Sequence, residues 1–156
     1  MSLTINIESR AVMDVLNELI ARGQDMEPVL HAIGAALENR ARARFETKTD
    51  PAGSPWAPWQ PSTRARYDKA DTVKGKGVVR SGSLLQREGH MLGGLSYQVD
   101  GGSLLIGFDR DYAEFHETGT KHMERRGMLA NEDGTLGEGD EQAVLELVQG
   151  YFAAPL

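Results

Sequence analysis

Two histidines in the last third of the chain come closest to a metal-binding pattern. A helical zinc motif places two His residues four positions apart, so that one helix face carries both ligands. His116 and His122 are six positions apart with Gly119 between them, and a third ligand would have to come from Glu114 or His90. The simpler interpretation is that His116 packs or forms hydrogen bonds within the fold. A small metal-dependent hydrolase using His116 and His122 is the alternative.

The other patterns associated with catalysis are incomplete. Residues 74–77 (Lys-Gly-Lys-Gly) have the composition of a phosphate-binding loop but lack its Gly-x-x-x-x-Gly-Lys-Ser/Thr spacing. Ser81 and Ser83 lack the flanking residues of a nucleophile elbow. Asp140 and Glu141 lie at the start of a predicted helix, where carboxylates complement the helix dipole. We therefore predict no catalytic residues, no bound metal, no cofactor and no enzyme activity.

Two tryptophans and a basic segment are more informative, and they are neighbours in sequence. Residues 40–80 carry ten Lys or Arg and four Asp or Glu, a net charge of +6, whereas residues 111–156 have a net charge of −7. These opposite charges predict that a basic segment of one copy meets an acidic face of the next. A Trp side chain either anchors a loop to its own core or docks into a neighbour. The residues predicted to form a subunit or partner interface are Trp56, Trp59, Arg64, Arg66, Lys74 and Lys76.

The basic segment also permits a second interpretation. Non-specific nucleic-acid binding needs clustered Lys or Arg, often with aromatic residues on which bases stack. Within residues 64–80 only Tyr67 is aromatic, and the protein as a whole is acidic. A DNA-binding adaptor using residues 64–80 is therefore an alternative function, and no sequence-specific nucleic acid is expected as a partner.

Composition limits the remaining classes. The chain has 156 residues, a net charge of −6 and no cysteine, which predicts one domain over residues 1–156. Without Cys, disulfide frameworks, thiolate zinc sites and Cys nucleophiles are excluded. The apolar runs are too short to span a membrane, and the first ten residues lack the apolar core of a signal peptide. We therefore expect a protein of the reducing cytoplasm with no membrane partner.

The N-terminal half predicts a short strand, two helices and a long loop. Apolar residues alternate with polar ones over residues 3–7, which is the period of a strand. Helical spacing of apolar residues follows over about residues 10–22, with Ser9 as N-cap, and over about residues 26–46. Residues 47–80 contain four prolines and both tryptophans, and they are predicted to be an extended loop.

The C-terminal half predicts a hairpin and a last helix. Alternating apolar residues flank an Asp-Gly-Gly turn over residues 94–108, which is typical of a β-hairpin. Residues 111–116 form either a short helical turn or a further strand, residues 127–139 a loop, and residues 140–153 a helix. The predicted fold is α+β: N-terminal helices, a central antiparallel β-hairpin sheet and a C-terminal helix.

Three segments have an order and spacing that carry a family resemblance. The first begins at Phe45 and reads Phe-x4-Asp-Pro-x-Gly-x2-Trp-x-Pro. The second begins at Leu85 and reads Leu-x3-Gly-x-Met-x3-Leu-x-Tyr, and the third begins at Tyr112 and reads Tyr-Ala-Glu-Phe-His-Glu-x-Gly. Together they resemble the phage virion morphogenesis family, which contains the tail-completion proteins of Mu-like and related contractile-tailed phages. The resemblance covers about residues 10–152.

The resemblance implies a structural protein without catalytic residues or cofactor. It would form a homo-oligomeric ring, of which a hexamer is one candidate size, complete the tail and help to join it to the head. Its partners would be copies of itself and other tail or neck proteins. It would be found in the bacterial host cytoplasm during assembly and in the virion tail or neck, either of an active phage or of a prophage. The motif residues expected to be structural are Asp50, Pro51, Gly53, Gly89, Tyr112, His116 and Gly119.

One segment departs from the family pattern. The family has a Pro- and Arg-rich stretch before its last helix, and residues 125–129 match that stretch only in part. An acidic, Gly-rich insert follows it. The contacts of this region are therefore not implied by the resemblance.

Overall fold

A computed structural model describes residues 9–21, 25–73, 84–86 and 89–153. These residues form helices at both ends of the chain and a two-stranded antiparallel sheet between them, which confirms the predicted α+β class. In chain order the elements are α1 (Arg10–Ala21), α2 (Glu27–Thr47), α3 (Pro61–Val73), α4 (His90–Gly93), β1 (Leu95–Asp100), β2 (Ser103–Phe108), α5 (Ala113–Thr118) and α6 (Glu138–Ala153).

Helices α1 and α2 begin and end within one residue of their predicted bounds. The Ser9 hydroxyl accepts the Val12 N–H at 3.4 Å and donates to the Glu141 carboxylate at 2.6 Å. The side chain of Ser9 thus caps α1 and ties it to α6. At the other end of α2, Lys48 has a φ of 59° and its N–H donates to the Arg44 carbonyl at 2.7 Å, a left-handed helix cap.

The two strands form the hairpin predicted for residues 94–108. β1 and β2 pair antiparallel, with Leu95 opposite Phe108. Gly101 and Gly102 connect them with φ values of 55° and 83°. A two-residue turn whose twist matches the strands needs a positive φ at both positions, which glycine adopts without a steric penalty.

Helix α2 is the centre of the molecule, since it packs against both strands and against α6, while α1 packs on α6. Gly34 of α2 lies against Tyr97 of β1, and a Cβ at this position would collide with the tyrosine ring. The helix therefore approaches the sheet closely because it carries no side chain there.

The core divides into two clusters along α2. The cluster around its C-terminal half comprises Ala41, Phe45, Trp56, Met91, Leu95, Phe108, Ala113, Met128 and Leu129. The cluster around its N-terminal half comprises Val12, Leu19, Val29, Ile33, Val144 and Val148. The first cluster joins the hairpin to the loops on either side of it, and the second joins the three long packed helices.

The prediction of an extended loop over residues 47–80 is wrong in part, because Pro61–Val73 form helix α3. Proline is tolerated at the first helical position because its missing N–H has no partner to lose, so Pro61 can begin a helix. The residues after Pro61 are mostly polar, and their few apolar residues do not recur at helical spacing. The sequence pattern therefore did not indicate a helix. The loop proper is residues 48–60, and residues 74–80, with Lys74 and Lys76, lie outside the described residues.

The other differences are small. Of residues 111–116, the first two form a turn and the last four lie in α5, which is the helical alternative. Helix α6 begins two residues earlier than predicted, and α4 is a single turn that was not predicted. The strand predicted over residues 3–7 lies outside the described residues. Among the helices described, none is both long enough and apolar enough to cross a membrane.

Candidate functional site

The first motif segment forms a tight turn around Asp50. The Asp50 carboxylate accepts the Ser54 N–H at 2.8 Å, and its carbonyl accepts the Gly53 N–H at 3.0 Å. Gly53 has a φ of 87°, which favours glycine. Pro51 is buried, and a Cβ at Gly137 would collide with its backbone. These contacts give the first-segment residues structural roles within the chain.

Trp56 lies in the core of the chain. It is 5% exposed, its ring packs edge-on against Phe45 with the centroids 5.5 Å apart, and its Nε1–H donates to the Gly127 carbonyl at 2.9 Å. Of the two roles predicted for a tryptophan in this loop, Trp56 therefore has the first: it anchors the loop to the core of its own chain. Its ring is not available to a neighbour's surface.

Arg126 fastens the same loop from the other side. Its guanidinium donates to the Ala57 carbonyl at 2.7 Å and to the Pro58 carbonyl at 2.9 Å, and its backbone N–H donates to the His116 carbonyl at 2.7 Å. Burial lowers the pKa of the guanidinium below its ordinary value. Arg126 lies in the segment that matches the family pattern only in part, yet it connects the first motif segment to the third.

Glu117 is a buried carboxylate that organises the segment after Arg126. Its two oxygens accept the N–H groups of Met128 at 2.6 Å, Leu129 at 3.2 Å and Ala130 at 3.0 Å. Arg125 lies 3.6 Å from one of these oxygens. Burial raises the pKa of Glu117, and the three N–H donors and Arg125 act in the opposite direction. Sequence reasoning missed this role, although Glu117 stands inside the third motif segment.

A second buried carboxylate, Asp140, joins α6 to α2. It accepts hydrogen bonds from Arg40 at 2.6 Å and from Arg44, and Arg44 also donates to the Met128 carbonyl at 2.8 Å. Asp140 is 1% exposed. The prediction that Asp140 complements the helix dipole missed its pairing with Arg40 and Arg44 across the fold.

The two histidines of the metal hypothesis are in different surroundings. His116 is half-buried, and its buried Nδ1 has no hydrogen-bond partner among the residues that the structure describes. Burial and then the charge of Arg126 lower its pKa. His122 is exposed in the turn closed by Thr120 and Met123. Within the described part of the chain, no group of three or more His, Cys, Asp or Glu residues is placed to hold a metal ion.

Three further motif residues lie at the ends of short helices. Gly89 and Gly119 have φ values of 75° and 74°, before α4 and after α5. A Cβ at Gly119 would lie 3.0 Å from the backbone nitrogen of Arg125, so glycine is needed there for space as well as for φ. Tyr112 precedes α5 and is 44% exposed.

Of the remaining interface candidates, Lys74 and Lys76 lie outside the described residues, Trp59 lies just before α3, and Arg64 and Arg66 lie in its first half. Together with Tyr67, which was not among the candidates, Trp59, Arg64 and Arg66 form what we call the basic patch. Arg64 and Arg66 are exposed. The Trp59 and Tyr67 rings pack with their centroids 5.1 Å apart and nearly perpendicular planes, and the Arg66 guanidinium lies 5.9 Å from the Tyr67 centroid. The structure thus places Trp59 and Arg66 next to Tyr67 and leaves Arg64 exposed on the same helix, whereas Trp56 is buried in the core.

An apolar groove of about 510 Å³ runs between α1, α2 and β2. Met13, Ile20 and Leu105 lie exposed along it. Among the described residues that line it, Asp109 is the one carboxylate and no histidine is present.

A model of the phage virion morphogenesis family matches residues 7–151. No curated protein and no solved structure matched the chain. The matched range includes all three motif segments and nearly all of the described elements. The resemblance that those segments carry is confirmed.

Proposed function

The chain belongs to the phage virion morphogenesis family, and from this premise we propose that it completes the phage tail and helps to join tail and head as a homo-oligomeric ring. Membership of the family indicates a structural phage protein associated with the virion or its tail. The proposed partners are further copies of the chain and other tail or neck proteins. Assembly would take place in the bacterial host cytoplasm.

Helix α3 carries this proposal. Its 13 residues are mostly polar, and it makes only sparse contacts with the other elements, whereas α2 packs against three of them. An isolated helix of this length is marginal in water, and most helices in proteins are stabilised by packing. A helix that makes few contacts in its own chain is therefore well suited to contact another one.

The body of the protein supplies the second requirement of a ring subunit. In a ring, one surface of each copy meets a different surface of the next, so the subunit must hold the two in a fixed relation. Trp56 of the first motif segment and Glu117 of the third both form buried hydrogen bonds to residues 127–130, and Arg126 donates part-buried hydrogen bonds to the first segment. The family motifs therefore supply contacts that hold the body of the subunit together.

The proposal is tested with the purified protein, alone and mixed with tail tubes of the same phage. Light scattering after gel filtration measures the mass of the assembly, and negative-stain electron microscopy shows its shape and its place on the tail. We expect rings, at high protein concentration or at one end of the tube. Monomers under all these conditions, with tubes present, would overturn the proposal.

A DNA-binding adaptor is the second candidate, and the basic patch favours it. Arg64 and Arg66 are exposed beside the Trp59 and Tyr67 rings, and cationic and aromatic side chains together bind nucleic acid without sequence preference. This function requires binding that weakens steeply with salt. A gel-shift titration at low salt decides it, since failure to shift DNA removes this candidate and leaves the ring proposal intact.

A further inference from the structure

Helix α5 presents exposed aromatic side chains with acidic neighbours. Tyr112 is 44% exposed and Phe115 is 52% exposed. Asp111 and Glu114 are exposed beside them in sequence. We call these four residues the acidic patch. Large aromatic side chains on a surface are typical of the centre of an interface, and carboxylates around them select a basic partner.

The basic patch at the start of α3 has the complementary chemistry. Arg64 and Arg66 are exposed there, and the Trp59 and Tyr67 rings form an aromatic surface beside them. Arginine forms hydrogen bonds to carboxylates with two N–H groups at once and also stacks on aromatic faces. A surface that combines Tyr112, Phe115 and carboxylates therefore offers an arginine both kinds of partner.

We infer that the basic patch on α3 of one copy docks on the acidic patch of a second copy of this chain, an inference that rests on the proposed ring. The partner is a second copy because exposed arginines and exposed carboxylates lie on different elements of one chain, Arg64 and Arg66 on α3 and Asp111 and Glu114 at the start of α5. Such a contact is heterologous, which is the kind that closes into a ring.

The contact also accounts for the sparse packing of α3. A helix of 13 residues spans about 20 Å at 1.5 Å per residue, which is enough to reach from one subunit onto the next. Docking would bury the aromatic rings of both patches and place Arg64 and Arg66 beside Asp111 and Glu114. The helix would then gain from the neighbour the packing that its own chain provides only sparsely.

A charge exchange tests the contact. Arg66→Glu and Glu114→Lys each place like charges opposite one another, so either substitution alone is expected to weaken assembly by about tenfold or more. The Arg66→Glu, Glu114→Lys double variant restores opposite charges at every contact and is expected to assemble like the unmodified protein. The mass of the assembly is measured by light scattering over a series of protein concentrations.

Mixing the two single variants tests whether the contact lies between copies. In an alternating assembly of the two chains, the Arg66→Glu site of one variant would face the Glu114→Lys site of the other. The arginine and the glutamate that remain unmodified would face each other at the next contact. We therefore expect two preparations that fail to assemble alone to assemble when mixed. Recovery in the double variant without recovery in the mixture would place the contact within one chain and overturn the inference.

The control exchanges the same charges elsewhere. Arg10 and Asp14 are exposed on α1, which packs on α6, so Arg10→Glu and Asp14→Lys should leave assembly unchanged. Thermal unfolding of every variant establishes that each is folded. If the unmodified protein assembles and the variants at Arg66 and Glu114 assemble equally well, this inference is wrong and the ring proposal stands. If the unmodified protein never assembles, both are wrong.

Discussion

Glu117 is a buried carboxylate whose oxygens face three backbone N–H groups, those of Met128, Leu129 and Ala130. A carboxylate can accept all three because both of its oxygens are acceptors. A glutamine of the same shape has one oxygen and one NH2 group, and the NH2 group would face an N–H donor. Glu117 thus fixes the conformation of residues 127–130. In this segment the Gly127 carbonyl accepts the hydrogen bond from Trp56, and the Met128 carbonyl accepts one from Arg44.

We expect Glu117→Gln to lower the free energy of unfolding by about 1–3 kcal/mol, the cost of a buried donor left without an acceptor. Urea unfolding at neutral pH measures it. Glu114→Gln, on the same helix but exposed, is the control and should leave the unfolding free energy nearly unchanged. Equal effects of the two substitutions would contradict the role assigned to the three N–H donors.

His116 predicts a dependence of stability on pH. Burial and the charge of Arg126 lower its pKa in the folded protein below the ordinary value of 6.5. The unfolded chain therefore binds a proton more readily, so the stabilisation is present above pH 6.5 and is lost as the pH falls through the folded pKa. Glu117 acts with the opposite sign, because its raised pKa favours folding at low pH and that contribution is lost as the pH rises.

Substitution isolates the histidine from this opposing effect. His116→Gln has no charge to gain, so its unfolding free energy should fall less than that of the unmodified protein between about pH 7.5 and about pH 5.5. Unfolding in urea at several pH values within this window measures the difference. His122→Gln, at an exposed position, should keep the pH dependence of the unmodified protein. A His116→Gln variant with an unchanged pH dependence would mean that the histidine is not held neutral.

At the scale of elements, the two tryptophans of the loop over residues 48–60 have different surroundings, and we expect them to have different roles. Trp56→Ala removes a buried ring and its hydrogen bond to the Gly127 carbonyl, and should lower the unfolding free energy by about 3–5 kcal/mol. Trp59 is only half-buried against Tyr67. We expect Trp59→Ala to change stability little and to weaken assembly, as measured by light scattering. A stability loss at Trp59 as large as at Trp56 would place both rings in the core.

The contact between α2 and β1 depends on Gly34. Alanine in place of an exposed helical glycine stabilises a protein by up to about 1 kcal/mol, but at Gly34 the new methyl group would collide with the Tyr97 ring. Gly34→Ala should therefore destabilise by about 1–3 kcal/mol. Gly150 in α6 has open space around it, so Gly150→Ala should stabilise. Thermal unfolding compares the two, and stabilisation by both would show that the α2–β1 distance is not limited by this glycine.

Local patterns in the sequence predicted the elements that bury an apolar face. Apolar residues that recur every 3.6 positions predicted α1 and α2, and apolar residues that alternate on either side of two glycines predicted the hairpin. Such patterns can be read from sequence because the residues that form them are only a few positions apart. Helix α3 carries no such signal, since its residues are mostly polar. A helix that packs little against its own chain has no apolar stripe for sequence analysis to detect.

The buried polar contacts could not be predicted in the same way, because their partners are far apart in sequence. Trp56 and Gly127 are 71 positions apart, and Arg44 and Asp140 are 96 apart. The sequence shows the type of each residue but not its distant partner. Whether Trp56 lies in the core or at an interface depends on its contact with the Gly127 carbonyl, which only the fold reveals. The family motifs marked the right segments without indicating that Glu117 holds residues 128–130 or that Arg126 connects the first segment to the third.

At the scale of the whole molecule, residues 40–80 and 111–156 carry opposite net charges, and part of that charge is paired within the chain, where Arg40 and Arg44 contact Asp140. Exposed charges such as those of Arg66 and Glu114 remain for contacts between copies. Attraction between exposed charges is screened by salt, with a Debye length of about 8 Å at 0.15 M and about 3 Å at 1 M. Contacts made by burial of apolar surface do not weaken in this way. The salt dependence of assembly therefore tells which kind of contact dominates between subunits.

We expect the fraction of protein in rings to fall as sodium chloride is raised from about 0.05 M to about 1 M, because the exposed arginines and carboxylates attract each other less at the shorter Debye length. Light scattering after gel filtration in each buffer measures the fraction. The charge-exchanged double variant, Arg66→Glu with Glu114→Lys, should respond to salt in the same direction, since it has the same attraction with its signs reversed. Thermal unfolding in the same buffers separates loss of assembly from loss of folding. Rings that persist or increase in 1 M salt would contradict assembly through opposite charges and point to the apolar surfaces, among them the groove lined by Met13, Ile20 and Leu105, as the contacts that hold the subunits together.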